Sequence, residues 1–249
     1  MGGKLPYARY APADIRSVQG TIVEAIKCYG LWVPQSDASV FERYKEFEGL
    51  PDLDVSKVAR CATLCSKFGT ALDIGAHVGA ATVYLSRKFR QVIAFEAVPT
   101  TVEFLRRNTS HLQNVTAINA AAGPSAGEVY FTHYPKHGQL SHVRMGADVP
   151  KTERIGPVRV LPVDSFDFPD VSFIKIDVEG FELPVVQGAV ETLQRCRPLI
   201  LVEQAGNEEK HFGRPRDEAS AFLEDLGMEL HPDAPAMKND RLYRFKEVR

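Results

Sequence analysis

The chain of 249 residues carries 30 Lys and Arg against 32 Asp and Glu, a formal net charge of −2, with 44% hydrophobic and 25% charged residues. These proportions suit one globular domain, or one with a short N-terminal addition, and exclude a disordered or fibrous chain. The balance gives no overall electrostatic drive toward phosphate backbones or anionic membranes, so nucleic acid is a disfavoured partner.

At the N-terminus, MGGKLPYARY contains no apolar signal core, and Pro6 stands where myristoylation of Gly2 wants Ser or Thr. No apolar run is long enough to span a bilayer, so a cytoplasmic location and no membrane partner are expected. Residues 1–69 read as a helical extension or lid. A helix over Asp14–Lys27 places Ile15, Val18, Ile22 and Ile26 on one side. The aromatic stretch Tyr29–Pro34 follows, then a charged helical run over Val40–Glu48. A helix over Asp54–Phe68 carries Val55, Val58, Ala62 and Cys65 as its apolar stripe. Cys61 and Cys65 share a face of that helix; with Cys28 and Cys196 they are expected to be reduced thiols, since no second pair completes a zinc site.

From residue 70 to 249 the rhythm is that of alternating strands and helices. Strands are predicted at Thr70–Ile74, Val92–Glu96, Val115–Asn119, Phe173–Asp177 and Leu199–Glu203, with amphipathic helices between them. An insert at about 127–166 has no clear helix, only strands at Glu128–Tyr134 and Val158–Val163. Met228–His231 and Arg241–Val248 read as a closing hairpin. The expected fold is α/β: a Rossmann-like, doubly wound, mostly parallel seven-stranded sheet with an antiparallel C-terminal hairpin edge.

The sharpest motif is Asp73-Ile-Gly75-Ala76-His77-Val-Gly79, a strand running into a glycine turn and a helix. Gly75 permits the turn and Gly79 permits close packing of the helix start. Free N–H groups there would favour a carboxylate or phosphate. Asp73 offers a carboxylate to a ligand ammonium, and Glu96, 23 residues on, closes the next strand where an acid can take both ribose hydroxyls. A dinucleotide fingerprint would want a second glycine where His77 stands, and Asp73 would repel a pyrophosphate. The layout therefore points to S-adenosylmethionine over NAD. The plainer alternative is a glycine turn that binds nothing.

Together with Thr82, Ala94-Phe-Glu96, Ile174-Lys-Ile-Asp177-Val-Glu179-Gly-Phe-Glu182 and Leu201-Val-Glu203, this motif resembles the FkbM family of S-adenosylmethionine-dependent methyltransferases over about residues 70–205. The resemblance implies that Asp73, Gly75, Gly79 and Thr82, with the intervening Ala76 and His77, surround the methionine end of the cofactor. It implies that Glu96 and the adjoining Ala97 meet the ribose, and that Asn119 and Ala120 lie near adenine. Asp177 would stand beside the methyl donor. It also implies methylation of oxygen on a sugar or other small metabolite, giving S-adenosylhomocysteine as the product.

A hydroxyl acceptor needs its proton removed, and Asp177, Glu179 and Glu182 cluster where binding loops gather. Strand alternation, if it persists so far, puts Asp177 and Glu179 on one side. Glu179 is the base candidate; its rival roles are capping the next helix, steadying the loop, or sharing a divalent metal. His133, His137 and His142 in the insert match no tight zinc spacing, so no metal is assigned, and His142 is a second base candidate. Trp32 is either a core anchor or a stacking platform for the acceptor, and Glu203 is a weaker pocket candidate. Two other functions stay open: an N-methyltransferase for a nucleic-acid or protein amine, and a non-catalytic S-adenosylmethionine-binding module.

Overall fold

The structure, a computed structural model, describes residues 25–132, 142–144 and 154–247. It opens on a hairpin of β1 (Ala25–Cys28) and β2 (Leu31–Pro34), turned by Tyr29 and Gly30, both at positive φ. That hairpin takes the end of the helix expected over Asp14–Lys27, because a turn with two positive φ values matches strand twist and pairs Ile26 with Val33. Residues 14–24 lie outside the described residues. The charged helix expected over Val40–Glu48 is reduced to one turn, α1 (Ala38–Phe41), which buries only Phe41 and has no stripe to hold a longer helix. A small hairpin follows, β3 (Glu46–Phe47) and β4 (Leu50–Pro51). Helix α2 (Val55–Ala62) buries Val55, Val58, Ala59, Cys61 and Ala62. It stops well before Phe68; the Thr63 hydroxyl donates back to the Arg60 carbonyl at its end. All four cysteines are free.

The alternating part then runs β5 (Thr70–Ile74), α3 (Ala80–Ser86), β6 (Gln91–Glu96), α4 (Pro99–Thr109), β7 (Val115–Asn119) and β8 (Ala121–Ala122). The insert supplies β9 (Gly127–Thr132), β10 (His142–Arg144) and β11 (Arg154–Leu161), which form a second sheet in the order β10-β9-β11-β8. Next come β12 (Val171–Ile176), α5 (Glu182–Gln187), α6 (Val190–Cys196), β13 (Leu199–Glu203), α7 (Asn207–Phe212), α8 (Glu218–Asp225), β14 (Met228–Leu230) and β15 (Asp240–Phe245). The main sheet is seven-stranded in the order β14-β15-β13-β12-β5-β6-β7. Its five central strands are parallel, and β15 and β14 add an antiparallel edge.

These strands are apolar almost throughout because both sheet faces are covered. Leu72, Ile74, Ile93, Phe95, Ile174, Ile176, Ile200 and Val202 belong to one core, while Ala71, Val92, Phe173 and Leu201 belong to another on the opposite face. Chain order reverses between β5 and β12, which opens a crevice at their carboxyl ends. The register there sets Lys175 opposite Asp73. Period-two alternation keeps Asp177, two residues past Lys175, on the same face.

Candidate functional site

A cavity of 380 Å³ lies over the carboxyl ends of β5, β6 and β12. Gly75, at φ 83°, forms its floor, and a Cβ there would fall 1.8 Å from the Asp177 carbonyl oxygen. Only glycine therefore lets the turn pass under β12. Gly79 begins α3 at φ 95°, where a Cβ would meet Leu105 of α4 at 2.7 Å. Four N–H groups of the turn already have partners. Gly75 and Ala76 both donate to the Phe95 carbonyl (3.0 and 2.9 Å), Gly79 donates to the Ala76 carbonyl (2.9 Å), and His77 donates to Glu96 Oε2 (2.9 Å). Ala76 and Gly79 thus shape the turn from behind and do not line the cavity.

Asp73 stands behind the cavity wall. It is fully buried, accepts a hydrogen bond from Thr82 Oγ1 (2.5 Å), and lies 3.6 Å from Lys175 Nζ. Neither Asp73 nor Thr82 lines the cavity. The Lys175 ammonium also donates to the Gly75 carbonyl (3.1 Å) and stands 3.3 Å from Asp177. Burial works to lower its pKa, but the carboxylates of Asp177 and Asp73 hold it above its ordinary value. Lys175 is a cross-strand clamp that sequence reasoning missed. A lysine between Ile174 and Ile176 in an apolar strand was the available signal, since such a residue is seldom buried without a partner.

Where β12 and β13 end, three acids line the cavity: Asp177, Glu179 and Glu203. Burial opposes ionisation of Asp177, but Lys175 and a hydrogen bond with Glu203 hold its carboxyl below the usual range. Burial and the charge of Asp177 push Glu203 the other way, above the usual carboxylate range. Glu203→Gln, which keeps a donor toward Asp177, is expected to change stability at neutral pH by about 1 kcal/mol or less. Glu203→Ala should cost about 1–3 kcal/mol by leaving Asp177 short of a partner. Thermal denaturation of the two variants checks this, and equal losses would mean that Glu203 is ionised.

Glu179 arrives by a different route from the one its sequence suggests. Strand β12 ends at Ile176, and Glu179 turns into the cavity in the left-handed region at φ 56°. It does not cap α5: Phe181 stands at that position, and Glu182 Oε1 folds back to accept the Gly180 and Val178 N–H groups. Asn207 Nδ2 donates to Glu179 Oε2 at 2.6 Å, and Arg214 holds the Gly180 carbonyl at 2.7 Å. Burial, then the charge of Asp177, raise Glu179 to about 7. Nothing local in the sequence announces Asn207, which lies 28 residues away.

At the other end Glu96 lines the cavity beside Ala97, Val98, Thr101, Ala120, Ala121, Ala122 and Phe181. Burial raises Glu96 to about 7, against the hydrogen bonds from the Val98 and His77 N–H groups. Asn119 does not line the cavity: its amide donates to the Glu96 and Ala97 carbonyls (2.9 and 3.0 Å) and so fixes that turn. His77, at φ 51°, stacks on Phe41 with centroids 5.9 Å apart. Its Nδ1 has no hydrogen-bond partner among the described residues, and burial lowers the imidazole to about 4. Tyr44 and Asp54, both unforeseen, complete the rim. Lys57 bridges Asp54 (2.9 Å) and Asp240 of β15 (2.5 Å), tying α2 to the sheet edge.

His133 and His137 lie outside the described residues; His142 begins β10, and its side chain is likewise outside them. Among the described residues no cluster of three His, Cys, Asp or Glu is spaced to hold a metal ion, and no helix is long and apolar enough to cross a membrane.

Comparison with known proteins gives a match to the methyltransferase FkbM domain over residues 73–244. The chain is 28% identical to methyltransferase sdnD of Sordaria araneosa over 65% of its own length and 74% of that protein. It is 27% identical to the hexuronic acid methyltransferase AglP of Haloferax volcanii over 61% of its length, spanning 63% of that relative. The crystal structure of methyltransferase FkbM from Methylobacillus flagellatus KT aligns with a TM-score of 0.48 and 16% identity, covering 72% of this chain and 44% of that one.

Proposed function

This chain belongs to the FkbM methyltransferase family, and on that premise we propose that it transfers a methyl group from S-adenosylmethionine to a hydroxyl of a sugar or other small metabolite. The observation that carries the reading is the division of one cavity into two chemistries. Asp177, Glu179 and Glu203 stand on one side, and Glu96 with the apolar Ala97–Val98 and Ala120–Ala122 segments stands on the other.

The residues present fit that cofactor. The Gly75 turn runs directly against the Asp177 backbone at the edge of the cavity, and His77 Nδ1 is a buried polar atom with no hydrogen-bond partner among the described residues. The Asp177 carboxylate suits a ligand with a cationic sulfur and an ammonium. Glu96 is the acceptor for ribose hydroxyls, and the alanine segments with Phe181 leave a flat apolar slot for adenine. When bound, S-adenosylmethionine supplies a methyl group on a positively charged sulfur that a nucleophile can displace in line.

Holding the acceptor in line is most of the task, and positioning of this kind can supply roughly 7–11 kcal/mol. The Glu179 carboxylate, steadied by Asn207, takes the proton of the acceptor hydroxyl. Asp73 and Thr82 act through Lys175 and the glycine turn, not on the ligand. The similarity to AglP, a hexuronic acid methyltransferase, supports a sugar-type acceptor for this chain as well.

Isothermal calorimetry with S-adenosylmethionine and with NAD tests the reading. Saturable binding of the first and none of the second is expected, followed by release of S-adenosylhomocysteine when hydroxylated acceptors are supplied. Binding of NAD alone would end it.

A further inference from the structure

A second cavity, of 320 Å³, lies between the β1–β2 hairpin, the β3–β4 turn and the C-terminal ends of α3 and α4. Among the described residues no acidic side chain lines it; Lys27, Arg87, Arg107 and His111 do, beside Trp32 and Tyr29. In a chain of net charge −2 this is a local reversal of sign. Among the described residues Lys27, Arg107 and His111 have no carboxylate partner, while Arg87 donates one N–H to the Glu48 carbonyl (2.9 Å) and has the exposed Glu48 carboxylate at 3.8 Å, an ion pair of little strength.

The walls are fixed before any ligand arrives. Buried Asn108 of α4 accepts the Trp32 N–H (2.7 Å) and donates to the Trp32 and Val78 carbonyls (2.8 Å each), which pins the hairpin to the helix. The Arg107 guanidinium lies 3.5 Å from the Trp32 ring centroid and the Lys27 ammonium 5.0 Å from it. A guanidinium stacked on an aromatic face keeps its N–H edge available for bidentate donation to an oxyanion.

We propose that this cleft is a binding site for a phosphorylated small molecule, separate from the methyl-transfer cavity. The phosphate meets Lys27, Arg87 and Arg107, and the body of the ligand lies along Tyr29 and Trp32. A dianion matches several unpaired cations better than a single carboxylate does, and the volume suits one sugar phosphate and not a polymer strand.

Trp32 is the only tryptophan of the chain, so its fluorescence reports on this cleft directly. Inorganic pyrophosphate and glucose 1-phosphate, titrated separately at low ionic strength into the full chain, are expected to change that emission saturably. Calorimetry should show that Lys27→Gln with Arg107→Gln weakens both by roughly tenfold or more. Both side chains are exposed and lose only their contacts with the Trp32 ring, so the melting temperature should fall only slightly. Tighter binding of the sugar phosphate assigns the site to an organic phosphate, and tighter binding of pyrophosphate assigns it to the free anion. The proposal fails if neither probe saturates, if the double variant binds like the parent, or if S-adenosylhomocysteine displaces the probes. None of these readouts depends on methyl transfer, so they stand or fall apart from the proposed reaction.

Discussion

Replacing Lys175 by Met is expected to remove about 3–5 kcal/mol of stability, because it leaves the buried Asp73 carboxylate and the half-buried Asp177 carboxylate without their cation. Asp73 is fully enclosed, and its remaining contact is the Thr82 hydroxyl. Methionine preserves much of the volume, so the loss reports charge more than packing. Urea unfolding at pH 8 and pH 5 separates the two. Without the ammonium, burial carries the Asp177 carboxyl above its unfolded value, where Lys175 had held it below. Its protonation then relieves the variant as pH falls, so the deficit should be smaller at pH 5. Adding Asp73→Asn should restore part of the loss at pH 8. A loss below about 1 kcal/mol, or one equal at the two pH values, would mean the ammonium is not the clamp described.

Glu179→Gln is expected to lower kcat by about 10²–10⁴-fold while the affinity for S-adenosylmethionine stays nearly constant. Glutamine keeps the hydrogen bond from Asn207 through its carbonyl oxygen, so the loop conformation should survive. The pH dependence carries its own sign. Glu179 is raised to about 7, so it holds a proton below that value and cannot take another. Activity of the parent should therefore climb through pH 7 and level off above it, and this ascending limb should be missing from the variant. A large fall in cofactor affinity with unchanged kcat would reassign Glu179 to ligand binding and remove it from proton transfer.

What the sequence made legible was local. Strand β5, the glycine turn after it and Glu96 at the end of β6 are each written in a few adjacent residues, by apolar runs, by glycine and by an acid at a strand tip. Partnerships across the sheet were not legible. Asp73 reads as an acid open to a ligand until the register brings Lys175, about a hundred residues away in the chain, directly opposite. Glu179 reads as part of a strand because alternation gives no warning that β12 ends at Ile176. The N-terminal segment misled for a related reason: the spacing of Ile22 and Ile26 suits a helix, while the pairing of Ile26 with Val33 depends on a two-residue turn. Asn207 and Asn108 act through contacts of 28 and 76 residues' separation, which no short window contains.

The bridge from Lys57 to Asp240 sets an order of events during synthesis. The ribosome delivers Asp54 and Lys57 early, yet the anchor that steadies them emerges 183 residues later. Until β15 is out of the exit tunnel, β13 is an open sheet edge, the kind of surface on which other chains can add a strand. The nascent protein can stack its first three parallel strands long before it owns a finished reaction chamber.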